Sequence, residues 1–76
     1  MIQEGLLYFD DTVGRSTANK VTRAVARYLK KYGHAPTVCY AHPSTPDVGI
    51  DAAGVHVSPL RSVLPHHFWL GVEAAK

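Results

Sequence analysis

One segment, Ser16 to Tyr32, dictates most of what this chain can fold into. Along it Ala18, Val21, Ala24, Val25, Tyr28, Leu29 and Tyr32 recur at steps of three and four. That spacing gathers them into one stripe of a 3.6-residue helix. Ser16 suits the N-cap, where its hydroxyl accepts from a free amide of the first turn. Gly33 offers the left-handed residue that ends helices, and Pro36 blocks continuation. The periodicity therefore predicts a helix over 16–32. With 76 residues, the expectation is a single domain, 1–76, in which everything else packs against this one apolar stripe.

The remaining apolar runs are short and read as strands. Leu6-Leu7-Tyr8-Phe9 is wholly apolar and stops at Asp10-Asp11, the pattern of a strand covered on both faces. Thr37 to Ala41 is β-branched and aromatic and stops at His42-Pro43, a second strand. Strand, helix and strand in this order predict a βαβ unit with its two strands parallel and adjacent. Pro43 to Gly54 is rich in Pro, Gly, Ser and Asp and reads as loop. Val55-His56-Val57 alternates like a short strand. Residues 58–65 turn, with one helical turn over 60–64. Phe68 to Val72 forms the last strand, and 73–76 is a frayed tail. The expected fold is a small α/β domain, bordering on α+β. Its βαββ order, with room for one more strand, sets one amphipathic helix on one face of a mixed sheet of three or four strands.

Such a chain buries only about 60% of its unfolded surface, and small domains often add disulfides, a metal or a partner subunit. A lone cysteine, Cys39, rules out an internal disulfide and fits a reducing compartment. One helix shields one sheet face, yet both 6–9 and 68–70 present apolar side chains to both. Large exposed apolar patches are uncommon on monomers, so a homodimer is expected. The alternative is that segment 43–67 folds over the second face. Phe68, Trp69 and Leu70 are favoured as core residues in so small a domain, and whatever part of them is exposed is the expected interface, since aromatic residues dominate interface energetics.

Charge distribution gives the second reading. Arg15, Lys20, Arg23, Arg27, Lys30 and Lys31 lie in a stretch, Thr12 to Pro46, that holds no carboxylate. Helices usually pair such cations with Glu three or four residues away. An unpaired row along 15–31 would suit a nucleic acid or another polyanion, releasing counterions at each phosphate contact. A solvated face, its pairing supplied by Asp47, Asp51 or another chain, is the favoured explanation. The net charge of only +2 and the scarcity of interleaved aromatics weigh against nucleic acid. Gly14, Arg15 and Ser16 at the helix start would suit an anion, but both glycine-rich phosphate-binding patterns are absent.

The third reading is catalytic. If the first two strands are neighbours, Asp10 and Asp11 meet His42 at one end of the sheet, where they would hold a divalent cation or exchange protons. Cys39 and His42 with His66 and His67 form another conceivable ligand set, but their spacing matches no zinc pattern. Adjacent strand histidines also point to opposite faces, and Cys39 within a strand reads as a small hydrophobe. No metal and no cofactor are expected. Met1 to Gly5 lacks the basic start and apolar run of a secretion signal, and no apolar run nears the roughly 20 residues of a membrane helix. The expectation is a cytoplasmic protein away from membranes. In order, the functional expectations are a non-catalytic binding or protein-interaction module that self-associates, a polyanion binder through 15–31, and a metal-dependent enzyme using Asp10, Asp11 and His42.

Overall fold

The computed structural model describes residues 2–73, with side chains from residue 5 onward. The helix, α1, spans Thr17–Tyr32, close to its expected limits because its signals are local. Ser16 Oγ accepts from the Asn19 amide at 3.1 Å. At the other end Gly33 adopts φ 80° and its amide donates to the Leu29 carbonyl. Val21, Ala24, Val25 and Tyr28 are buried. Ala18 and Leu29 are exposed: they sit on the shoulder of the stripe, just past Val25, where the sheet no longer reaches.

The sheet has five strands rather than three or four. They are β1 (Ile2–Phe9), β2 (Val38–Ala41), β3 (Asp51–Ala52), β4 (Val55–Pro59) and β5 (His67–Glu73). Their spatial order is β1-β5-β2-β4-β3. β5 runs antiparallel to both β1 and β2, β2 is parallel to β4, and β3 is antiparallel to β4. The result is one helix against a mixed sheet, a small α+β fold.

Three expectations change. First, β1 and β2 point the same way but are not adjacent, because β5 lies between them. Insertion of β5 replaces one parallel pairing by two antiparallel ones, which are slightly more stable per residue. Second, β1 is an edge strand instead of an interior one. Third, the 43–54 segment contains β3. The turn from β3 to β4 is made by Ala53 and Gly54, both at positive φ (51° and 83°), the two-residue pattern of a tight hairpin. Glu73 belongs to β5, and 74–76 of the expected tail lie outside the described residues.

Strand alternation sorts the side chains. On the α1 side, Cys39, Ala41, Val55, Val57, Phe68 and Leu70 close the core with the helix residues, and Leu6, Tyr8, Val48 and Ile50 pack against it. Leu7, Phe9, Tyr40, His67 and Trp69 fall on the opposite side by register. Among the described residues, no helix is long and apolar enough to cross a membrane.

Candidate interaction site

Among the described residues, the face opposite α1 has no second layer. Of the long connections, 43–50 packs on the helix side through Val48 and Ile50. Only the 60–66 connection returns along the open face, where Val63 is buried. Leu7, Leu60, Ser62, Val63, Leu64, His67 and Trp69 line a groove of about 360 Å³ there. Around it, Leu7 is 56% exposed, Phe9 54% and Leu64 64%. Among the described residues, neither carboxylate nor Lys nor Arg lines this groove.

Two local devices shape it. Trp69 lies flat across the neighbouring strand: a Cβ placed on Gly5 would overlap the six-membered part of the indole. Glycine at position 5 is therefore what lets the ring lie down. At the other end Phe9 and His67 stack obliquely with ring centroids 4.9 Å apart. The His67 amide donates to the Leu64 carbonyl, closing a turn with Pro65 second and His66 third at φ 65°. That is the pattern of a type II turn, whose third position favours glycine.

Of the three candidate interface residues, Phe68 and Leu70 are almost fully buried beneath α1. They are core residues, and Trp69 alone of the trio reaches the open face. Leu7, Phe9, Leu60 and Leu64 were not anticipated as surface anchors. Leu7 and Phe9 share the parity of Trp69, but that parity acquires meaning only once β1 is known to pair with β5.

The basic residues divide. Arg15 donates to Asp10 Oδ2 at 2.9 Å and to Thr12 Oγ1 at 3.3 Å, so it turns back onto the β1–α1 connection and leaves the helix row. Asp10 is buried, and its Oδ1 accepts from the Thr12 amide at 2.9 Å. Hydrogen bonds from Thr12, then the Arg15 guanidinium, hold this carboxyl well below the usual carboxylate range against the opposing effect of burial. Along the helix, Arg23 Nε donates to Asn19 Oδ1, and Lys31 lies over the Tyr32 ring. Arg27, Lys30 and Lys31 line a depression with Leu6 beside β1. Among the described residues, no carboxylate lies within ion-pair distance of Lys20, Arg23, Arg27, Lys30 or Lys31.

The catalytic grouping does not assemble. Because β5 separates β1 from β2, Asp10 and His42 start two strand spacings apart, about 10 Å. Asp10 is committed to Arg15 and Thr12, Asp11 is exposed, and His42 Nδ1 accepts from the Ser44 amide at 3.0 Å. Among the described residues, no three of His, Cys, Asp and Glu come together as a metal site. Cys39 is fully buried, and burial pushes its thiol up to about 12, which leaves it an inert core group. The anion-cradle segment 12–16 is likewise occupied locally, by the Ser16 cap and the Arg15–Asp10 pair. Comparison with known families, characterised proteins and solved structures finds no match for this chain.

Proposed function

We propose that this protein is a non-catalytic interaction module that associates with a second copy of itself through the open face of its sheet. The observation that carries the reading is the groove bounded by Leu7, Leu60, Leu64 and Trp69 with exposed Phe9 beside it. Hollow and projecting apolar groups on one surface are what a two-fold interface needs, because each copy supplies both. Burying Leu7, Phe9, Leu64 and the exposed part of Trp69 stabilises the pair by roughly 25 cal/mol per Å² of apolar surface before association costs.

Sedimentation equilibrium tests it. The expected result is a dimer mass at micromolar concentration, falling to the monomer in Leu64→Asp with the helical circular dichroism retained and Tm lowered only by the lost association. A monomer mass at millimolar concentration overturns it. The second reading, polyanion binding, is favoured by the five helix cations without carboxylate partners. It predicts heparin retention that falls steeply with salt and is lost in Arg23→Glu/Arg27→Glu.

A further inference from the structure

We infer that the free edge of β1 accepts an added antiparallel strand from an extended peptide whose side chains alternate between acidic and apolar. The two edges of this sheet differ. β3 is only two residues long, one of the ways proteins blunt an edge. β1 runs for eight residues and, among the described residues, pairs on one side only, with β5. The Asp10 amide donates to the His66 carbonyl at the end of this pairing. Antiparallel alternation then aims the backbone groups of Leu6 and Tyr8 toward β5 and those of Leu7 and Phe9 outward. The Gly5 carbonyl also points out, where the Tyr32 hydroxyl donates to it at 2.9 Å. Two amides and two carbonyls, from Leu7 and Phe9, are left for an incoming strand.

The surroundings of that edge specify the partner. On the α1 side, Leu6 shares a depression with Arg27, Lys30 and Lys31, cations that have no carboxylate partner among the described residues. On the opposite side lie exposed Leu7 and Phe9. Residues directly opposite one another in a sheet share a face. Peptide residues facing Leu7 and Phe9 therefore belong to the apolar side and bond to β1 through their backbone. Those between them reach the cations and are acidic. A second copy of this chain does not fit this edge. Antiparallel self-pairing would place both helices on one side and bring Arg27, Lys30 and Lys31 of each copy together, and like-charge juxtaposition is strongly unfavourable. Strand addition of this kind draws affinity from the main chain and specificity from alternate side chains.

The probe is a capped, fluorescein-labelled hexapeptide of alternating Glu and Val, followed by anisotropy. It is expected to bind, and to weaken with added salt. N-methylation of its Val amides is expected to weaken it by about tenfold or more, since those amides bond to β1; N-methylation of its Glu amides leaves binding intact. These modifications are on the probe and leave the protein's folding untouched. An Arg27→Glu/Lys30→Glu variant should lose the probe while keeping its helical circular dichroism. Equal binding of both methylated probes, preference for a Lys–Val counterpart, or heparin binding without peptide binding each overturns the inference. The Leu64→Asp variant separates the two proposals: it breaks the dimer but is expected to bind the probe as the parent does.

Discussion

Phe68 and Trp69 are consecutive residues of β5, and the two sheet faces differ through that one step. Phe68 points under α1 and is 1% exposed. Trp69 points away, where it lies on Gly5 and flanks an open groove. The same contrast holds along β1, with Tyr8 packed on the core and Leu7 and Phe9 more than half exposed. Hydrophobicity therefore does not decide burial here. Parity does, and a one-residue slip of β1 or β5 would exchange the faces. The helix-covered face holds the fold together, while the open face carries apolar side chains that the fold leaves without cover.

The sharpest way to break this contrast is to truncate one residue on each side. Phe68→Ala is expected to lower unfolding free energy by about 3–5 kcal/mol, measured by urea titration. Phe9→Ala should cost far less; equal losses would mean the open face is as structural as the core. Gly5→Ala is next, at about 1–3 kcal/mol for overpacking, with a shift in Trp69 emission. The loss should largely vanish in a Trp69→Ala background. A comparable penalty, about 2 kcal/mol, is expected for Asp10→Asn, which weakens charge-assisted hydrogen bonds beneath the β1–α1 connection. The Asp10 carboxyl titrates lower in the folded chain than in the unfolded one. Its stabilisation is thus present above the ordinary pKa of about 3.9 and is lost as pH falls below it. Acid titrations of the parent and Asp10→Asn should converge at low pH. The smallest effect has the opposite sign: His66→Gly relieves the left-handed residue behind the groove and should stabilise by about 1 kcal/mol, read as a rise in Tm.

Local chemistry was legible in the sequence and long-range pairing was not. Ser16, Gly33 and the three-and-four spacing placed α1 because each signal acts within a few residues. One helix on one sheet face followed from the count of amphipathic segments. The insertion of β5 between β1 and β2 left no local trace, so Asp10, Asp11 and His42 looked convergent when a strand separates them. Which of Phe68, Trp69 and Leu70 would be exposed could not be told apart, because a wholly apolar run hides which parity faces the helix. β3 escaped notice because Ala53-Gly54 lacks the Asn or Asp that usually marks a two-residue hairpin. Arg15 read as one of the helix cations, although a carboxylate five residues earlier claims it.

The central position of β5 also orders events in time. Among the described residues β1 pairs only with β5, and its partners extend from Ile2 with Glu73 to Phe9 with His67. While a ribosome makes this chain, β2, β3 and β4 can meet one another, but the apolar first strand must wait for nearly the last residues described. Contacts so distant in sequence slow folding, and an unpaired strand is vulnerable to aggregation meanwhile. Nascent chains halted before His67 should consequently hold β1 exposed, open to a chaperone or to a neighbour's strand.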